Sequence, residues 1–409
     1  MVLSQIVPKY GWAFVAGLAL SVGSIAVPEA EAAPWIRVLL ASDVQQLEVS
    51  SDQVMWVTDH YDQSWSYQPA LRVTVGDGAL LLNGQPVATN QLTVGAGSHD
   101  LKLWIQQNGK RTQLRAGDEK DALQVGGVIQ LQRRGKKLLL INYVELEEYV
   151  KGVVPAEVNS AWHLEMLKAQ AVAARTYALY QHFLSVSRDY DVVAGIQDQV
   201  YRGRRGIDGR VAKAVETTRG LVVTHSGAPI YAAFSSTAAG ATEDAMNVWS
   251  KDLPYLKGVE CPFDLESPFY QWKASFKLDT LEKNLRKHGF SLGTIREISP
   301  LAYSRAGRVA TLRILHSDGE LVIRGEDLRR AVGYTVVPST QFKIESIGQD
   351  VNLSGYGAGH AVGLCQWGAK ELADLGYSFE RILNYYYPGT KLLDLSMTQP
   401  PPDPSASSS

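Results

Sequence analysis

Cysteine is scarce in this sequence, which contains Cys261 and Cys365 as the two thiols among its 409 residues. Two thiols can form at most one disulfide, so the small disulfide-dense scaffolds of secreted proteins are excluded. Stability has to come from a hydrophobic core. The composition can supply one, since 45% of the residues are hydrophobic and 20% are charged. The sequence therefore predicts a globular protein rather than a disordered chain.

The sequence also lacks a large net charge and any recognisable metal-binding pattern. The 40 Lys and Arg residues nearly balance the 42 Asp and Glu residues, giving a formal charge of −2, so we expect no binding to nucleic acid. The eight histidines are scattered and neither cysteine belongs to a C-x-x-C arrangement, which predicts no metal site. The glycines at 355, 357 and 359 lack the strand and helix of a dinucleotide fingerprint, so no cofactor is expected.

A hydrophobic run long enough to span a membrane is missing beyond residue 32. Before it, Lys9 precedes an apolar stretch at 12–27, which glycine and serine interrupt and which small residues at 30–33 follow. This stretch is shorter than the roughly 20 apolar residues of a spanning helix. Residues 1–32 are therefore predicted to be a secretory signal peptide of a protein exported to the periplasm, the cell wall or the extracellular space. The alternative is an uncleaved N-terminal anchor, the one case in which contact with a membrane is expected.

Alternating apolar and polar residues dominate the next hundred positions. Runs such as 71–75 and 101–105 have the period of half-buried strands. Asn83 and Gly84 form a good turn candidate between such runs, because glycine and asparagine tolerate positive φ angles. Residues 33–140 are therefore predicted to form a β-rich N-terminal region.

A long central helix is predicted from 161 to 183, after Asn159 and Ser160 as candidate caps. Its small and apolar residues recur three and four positions apart, at Leu164, Leu167, Ala171, Ala174 and Ala178. Arg175 lies off this face, where it could meet an anionic sugar or the solvent. Strand-like and helical segments alternate up to 395, so residues 141–395 are predicted to form a second, mixed region and the fold to be α+β. The Pro- and Ser-rich residues 396–409 are predicted to form a disordered tail.

Glu157 is the first candidate for chemistry. It stands among apolar residues just before the long helix, and loss of hydration there would raise its pKa and keep it protonated, as a general acid requires. The alternative is a glutamate in a first helical turn, stabilised by the helix N-terminus. Glu145 and Glu147 alternate with apolar residues and are expected on the solvated face of a strand.

His360, Cys365 and Gln366 are the second candidate group. Cys365 is expected at the start of a helix, where the dipole favours a thiolate. A Cys–His nucleophilic enzyme such as a cell-wall peptidase therefore stays open beside the glutamate hypothesis. The alternative is a small buried cysteine next to a loop histidine.

Several ordered blocks carry a resemblance that covers most of the chain beyond the leader, at 148–157, 167–178, 199–203, 359–369 and 386–390. In these blocks the sequence resembles the SpoIID/LytB family. The resemblance implies that Glu157 is the catalytic acid and that Arg175, Tyr201, His360 and Gln366 line a substrate cleft. It also implies Ser as the usual residue at 365, which weakens the thiolate hypothesis.

The family resemblance implies a substrate and a reaction. The expected activity is that of a lytic transglycosylase, which cleaves the bond between N-acetylmuramic acid and N-acetylglucosamine in peptidoglycan glycan strands and leaves 1,6-anhydro ends. The alternative is a non-catalytic wall-binding enhancer whose partner is an N-acetylmuramoyl-L-alanine amidase. Some family members bind zinc through Cys and His around the segment that is 234–242 here. Because this chain has Ser and Ala there, which cannot replace a thiolate or an imidazole, no structural zinc is expected.

Overall fold

The computed structural model of the chain describes residues 34–76, 78–107, 110–112 and 122–401. The predicted signal peptide at 1–32 lies outside the described residues, as do residues 402–409 of the predicted tail. Within the described ranges, no helix combines the length and the apolar character that crossing a membrane requires. The chain stays packed beyond 396, because residues 395–397 form a 3₁₀ helix and the Gln399 amide donates to the Gly227 carbonyl over 3.0 Å.

The described part of the predicted β-rich region folds as strands, which a short strand joins from further along the chain. They are β1 (Trp35–Val44), β2 (Gln46–Ser50), β3 (Met55–Asp59), β4 (Ser64–Tyr67), β5 (Ala70–Val75), β6 (Leu80–Leu82), β7 (Gln85–Val87), β8 (Gln91–Gly95), β9 (Leu101–Gln107), β10 (Lys110–Thr112), β11 (Leu123–Val125), β12 (Val128–Arg134), β13 (Lys137–Glu145) and β14 (Val192–Val193). One sheet has the order β14-β1-β13-β12-β8-β3-β4, and the other joins β10, β9, β2, β5, β6 and β7, with β11 paired to β9. Their inward side chains belong to one hydrophobic core.

The predicted turn at Asn83 and Gly84 is confirmed. These two residues connect β6 to β7 with φ angles of 49° and 86°. Both angles are positive, as a two-residue hairpin turn of the right twist requires, and Asn and Gly adopt them at low cost. The turn fixes the register in which Leu82 pairs with Gln85.

Helices and short strands alternate in the rest of the chain. The helices are α1 (Leu146–Glu157), α2 (Leu164–Leu184), α3 (Gly209–Thr217), α4 (Ala245–Trp249), α5 (Leu278–Lys287), α6 (Gly325–Val332), α7 (Gln366–Asp374) and α8 (Phe379–Tyr386). The strands are β15 (Leu221–His225), β16 (Ala228–Pro229), β17 (Phe234–Ser235), β18 (Gly240–Ala241), β19 (Glu260–Cys261), β20 (Gln271–Lys277), β21 (Ile295–Tyr303), β22 (Val309–His316), β23 (Gly319–Arg324), β24 (Gln341–Ile347), β25 (Asp350–Tyr356), β26 (Leu364–Cys365) and β27 (Lys391–Asp394). The α+β prediction is confirmed.

The long helix α2 is the centre of the first core. Met166, Leu167 and every residue from Ala169 to Tyr180 are buried, so nearly every face of the helix is covered by other elements. Alanines at 171, 174 and 178 are fully buried, which allows the neighbouring elements to approach closely. A helix covered on all sides has no solvent face. That is why Arg175 is buried within the protein instead of lying off the packed face in solvent.

Helix α1 replaces the strand expected around Glu145 and Glu147. The strand β13 ends at Glu145, and α1 begins at the next residue. Glu147 is 3% exposed rather than solvated, because it pairs with a buried arginine of α2. The expectation of a solvated face is therefore correct for the exposed Glu145 and wrong for Glu147.

A second hydrophobic core lies between β19 and β26 in the sequence. Its three-stranded sheets β20-β25-β24 and β21-β22-β23 pack with α5 and α6. Buried residues such as Leu285, Leu312 and Leu353 fill it. This unit provides one wall of a cavity that elements of the first core close on the other sides.

Candidate active site

A cavity of about 720 Å³ lies between elements of the two cores. The first core contributes the end of α1, the loop after β14, the chain around β17, helix α4 and the start of α7, and the second core contributes α6 and the loop after it. The polar and aromatic residues of its walls include Glu157, Asp198, Tyr231, Trp249, Glu326, Arg329, Tyr334, His360 and Gln366. Three of the predicted site residues, Glu157, His360 and Gln366, are thus brought together in one cavity.

Glu157 is the last residue of α1 and faces this cavity. Its Oε1 accepts a hydrogen bond of 2.6 Å from the Val200 amide, and the Gln366 side chain is a second hydrogen-bonding partner. Burial raises the pKa of Glu157 to about 7, although these hydrogen bonds and the charge of Arg202 act in the opposite direction. The helix places its C-terminal end at the carboxyl group, and this end of the dipole also disfavours a negative charge. The alternative of a glutamate in a first helical turn is therefore wrong, and the expected rise in pKa is present.

The raised pKa of Glu157 predicts a specific dependence of stability on pH. The pKa rises from 4.5 to about 7 on folding, so below pH 4.5 both states are protonated and the stabilising contribution is complete. Between pH 4.5 and 7 the unfolded chain ionises first, and this contribution is lost. We expect the melting temperature of the wild type to fall by several degrees relative to Glu157→Gln over this range. Melting curves of the two proteins, recorded by circular dichroism at each pH from 4 to 8, measure the difference in melting temperature. A difference that does not change with pH would contradict this prediction.

Asp198 is a second carboxyl group in the cavity wall, and it is held by three donors. Its Oδ1 accepts from the Tyr177 hydroxyl at 2.6 Å and from the Gln181 amide at 3.2 Å, and its Oδ2 accepts from the Val193 amide at 2.8 Å. A carboxylate with this many donors is fixed in position. It forms part of the wall on the same loop that carries the Val200 amide.

Aromatic rings give the cavity flat surfaces. Trp249 packs edge-on against Tyr231 with ring centroids 5.2 Å apart, and it lies 4.8 Å from the His360 ring. Lys251 places its ammonium group 4.4 Å from the centre of the Tyr231 ring. Flat rings beside hydrogen-bonding groups suit a ligand with apolar faces and polar edges, such as a sugar ring.

His360 is a neutral member of the cavity wall. Burial lowers its pKa to about 3, and the positive charges of Arg329 and Arg308 act in the same direction. Its Nδ1 accepts a hydrogen bond of 3.0 Å from the Val362 amide, which leaves the proton on Nε2. A neutral imidazole can donate this N–H to a ligand, but it cannot act as the cationic partner of a thiolate.

Arg175 is not brought to the cavity. Its guanidinium group is fully buried and donates to both carboxylate oxygens of Glu147, at 2.9 and 2.7 Å. It also donates to the carbonyls of Leu221 and Val215 at 3.1 and 3.3 Å. These contacts join α1 and α2 to β15 and α3. The prediction that Arg175 lines a cleft is therefore corrected: its position is that of a structural cation.

Tyr201 is also placed away from the cavity. It is 3% exposed, stacks on Tyr149 with ring centroids 5.2 Å apart, and donates its hydroxyl proton to the Asn142 side chain over 3.0 Å. Burial raises the pKa of its phenol well above the usual range. Its aromatic packing fixes the chain next to Val200, whose amide donates to Glu157. Tyr201 therefore positions this part of the cavity wall without lining the cavity.

Cys365 caps α7 and is buried beside Cys261, and both thiols are free. Its Sγ lies 3.3 Å from Asp264 Oδ2 and accepts from the Ala238 amide at 3.3 Å. Burial and the neighbouring Cys261 raise the pKa of the Cys365 thiol well above its usual range. The rival hypothesis of a thiolate at Cys365 is therefore contradicted, because loss of hydration outweighs the helix dipole.

Several wall residues were not anticipated from the sequence. Glu326, Arg329 and Tyr334 come from the second core, far along the chain from Glu157, and no local pattern links them to it. Trp249 and Tyr231 were not anticipated because Trp249 ends the five-residue helix α4 and Tyr231 lies between the two-residue strands β16 and β17, elements too short to show a period. The group Cys261, Asp264 and Cys365 was also missed; its donor atoms lie within 4.8 Å of one another.

Comparisons with known proteins identify relatives of this chain. Residues 134–225 match the family described as stage II sporulation protein, and residues 245–363 match a domain of unknown function. The chain is 32% identical over 267 residues to stage II sporulation protein D of Bacillus amyloliquefaciens, which covers 62% of this chain and 75% of that protein. It is 29% identical over 267 residues to the Bacillus subtilis protein of the same name, with the same coverage. It is also 32% identical over 288 residues to the amidase enhancer of Bacillus subtilis, covering 59% of this chain and 40% of that protein.

Proposed function

This chain belongs to the SpoIID/LytB family, and we propose that it acts on the cell wall as a peptidoglycan lytic transglycosylase with Glu157 as its acid. The observation that supports this most is the buried glutamate at the cavity wall. Burial raises the pKa of Glu157 to about 7, where the group can both give and take a proton near neutral pH. We also propose that the protein works outside the cytoplasm, where glycan strands are located.

A single carboxyl group is enough for this reaction. Glu157 donates its proton to the glycosidic oxygen as the bond from C1 of N-acetylmuramic acid breaks, and the electron pair of that bond leaves with the oxygen. The C6 hydroxyl of the same sugar attacks C1, and Glu157 takes up the hydroxyl proton. One C–O bond is broken, one is formed, and the acid is regenerated. The product ends in a 1,6-anhydro ring.

The surroundings of Glu157 suit this role. The Val200 amide and the Gln366 side chain bind the carboxyl group and orient it toward the cavity. The rings of Trp249 and Tyr334 can stack on sugar faces, and the neutral His360 can donate a hydrogen bond to a sugar hydroxyl or acetamido group. In this proposal Gln366 is a positioning residue, and His360 binds substrate.

The direct test uses purified glycan strands, with and without stem peptides. After incubation with the protein, chromatography with mass detection should find new 1,6-anhydro ends in at least one of the two substrates. Products with reducing ends would show that water is the nucleophile and that a second carboxylate takes part, for which Asp198 is the candidate in the cavity. Comparison of the two substrates also gives the preference for stem peptides.

A non-catalytic enhancer of an amidase is the second candidate function. The similarity to the Bacillus subtilis amidase enhancer favours it. A binding module would use the same cavity without needing the proton of Glu157. The two functions differ in one measurement: an enhancer raises the rate of a cell-wall amidase and leaves purified strands intact in its absence.

The variant Cys365→Ser tests the thiolate alternative. Serine can keep the hydrogen bond to Asp264, so we expect glycan cleavage to stay within roughly tenfold of the wild type. Cleavage is measured below the melting temperature of the variant, with circular dichroism to check the fold. A loss beyond about a hundredfold in a folded variant would support a nucleophilic thiolate instead.

A further inference from the structure

We propose that Cys261, Asp264 and Cys365 form a zinc-binding site that fastens the start of α7 to the chain around β17 and β18. The three donor atoms, two sulfurs and a carboxylate oxygen, lie within 4.8 Å of one another. Two sulfur ligands of a tetrahedral zinc are about 3.8 Å apart, given Zn–S bonds of about 2.3 Å. Sulfur and carboxylate ligands in this number are typical of Zn²⁺.

The donors are held in place by different parts of the fold. Cys261 pairs with Gly240 in the β18–β19 ladder, and Cys365 pairs with Ser235 in the β17–β26 ladder. Asp264 follows Cys261 by three positions, a short spacing that is common between two zinc ligands. Because 101 positions separate Asp264 from Cys365, the site was not predictable from spacing in the sequence. All three side chains are at most 1% exposed.

The backbone around these donors has the hydrogen bonds expected around metal ligands. The amides of Ala238 and Gly368 donate to Cys365 Sγ at 3.3 and 3.4 Å. The amides of Ala238 and Ala239 donate to Asp264 Oδ2 at 2.7 and 2.8 Å. Such donors orient ligands and stabilise their negative charge. The remaining Asp264 oxygen, Oδ1, is buried without a hydrogen-bond partner in the described chain, so its lone pairs are available to a cation.

Space and charge fit the same conclusion. Gly368 leaves room for the two sulfurs, since a Cβ there would come within 2.6 Å of Cys261 Sγ. The Tyr386 hydroxyl, 3.2 Å from Cys261 Sγ, can donate a hydrogen bond to that sulfur and stabilise its negative charge. Binding of Zn²⁺ releases the protons of both thiols, and the two thiolates with the carboxylate leave one net negative charge on the site. The buried guanidinium of Arg308, whose Nε and Nη1 have no partner in the described residues, can balance that charge.

The test is metal binding by the full chain, kept reduced and stripped with a chelator. On adding Zn²⁺ alone, we expect one equivalent to bind by elemental analysis and the melting temperature to rise by about 5 °C or more. Cobalt(II) in place of zinc should give the sulfur-to-metal charge-transfer absorption of a thiolate site, which needs no variant. The double variant Cys261→Ser/Cys365→Ser should neither bind the equivalent of zinc nor show the rise in melting temperature. The control Asp279→Asn, at an exposed position on α5, should show both.

Three outcomes would overturn the site. The reduced wild type could bind no zinc, or the double variant could bind as much as the wild type. The cobalt-loaded wild type could also lack the charge-transfer absorption, which would show that the bound metal has no thiolate ligand. If the double variant fails to fold, the cobalt spectrum of the wild type decides. None of these measurements depends on glycan cleavage, so the zinc site and the transglycosylase proposal are tested independently of each other.

Discussion

Replacing Glu157 by Gln should abolish glycan cleavage and leave binding to glycan strands intact. The amide keeps the shape of the side chain and can still contact the Val200 segment, but it has no proton to transfer. We expect the cleavage rate to fall at least about a hundredfold, the usual scale of general acid–base catalysis. Sedimentation with insoluble sacculi measures binding, and chromatography with mass detection measures anhydro-ended products.

The control for this variant is Glu216→Gln. Glu216 lies on the surface in a pair with Arg219 and is absent from the cavity wall. Its cleavage rate should equal that of the wild type. Equal cleavage by Glu157→Gln and the control would remove Glu157 from the mechanism. If neither wild type nor Glu157→Gln cleaves strands and both raise the rate of a partner amidase equally, the protein is an enhancer.

Replacing Glu147 by Gln should cause a large loss of stability. Arg175 and Glu147 form a two-point ion pair with side chains 0% and 4% exposed, and Glu147 also accepts from the Gly220 amide at 3.2 Å. Removing the negative charge leaves a buried guanidinium uncompensated, which costs about 3–5 kcal/mol in comparable pairs. Urea denaturation followed by circular dichroism measures the free energy of unfolding.

The surface pair supplies the comparison for this variant too. Glu216→Gln removes an ion pair whose partners are half exposed, and exposed pairs contribute little. Its free energy of unfolding should therefore not change measurably. Replacing both buried partners, as Glu147→Leu/Arg175→Met, should recover much of the lost stability because no unpaired charge remains. A loss for Glu147→Gln no larger than that of the surface variant would contradict this account of α1 and α2.

Regular periodicity made much of the fold predictable. The alternating runs at 71–75 and 101–105 lie in β5 and β9, and the long helix was expected within three residues of its start at Leu164. Helix α1 was missed because Pro155 and the alternation of Glu145, Leu146 and Glu147 resemble a strand and its end. A buried glutamate and an exposed one look alike in sequence. Their difference depends on which residue packs against them.

The candidate site was predictable where one segment carries the chemistry. The apolar context of Glu157 indicated a raised pKa, and the structure shows the burial that causes it. The positions of Arg175 and Tyr201 were not predictable, because each is determined by partners in other elements, Glu147 in α1 and Asn142 in β13. Long-range pairs of this kind leave no periodic trace in a single sequence.

The two hydrophobic cores have a consequence for how such a protein can diversify. The two groups that hydrogen-bond the carboxyl group of Glu157, the Val200 amide and the Gln366 side chain, come from elements of the first core, whereas Glu326, Arg329 and Tyr334 belong to the unit that packs around the second. Substitutions in that opposite wall can therefore change the shape and charge of the cavity while the hydrogen bonds to Glu157 are kept. Each wall packs on its own hydrophobic core, so one wall can change without repacking of the other core.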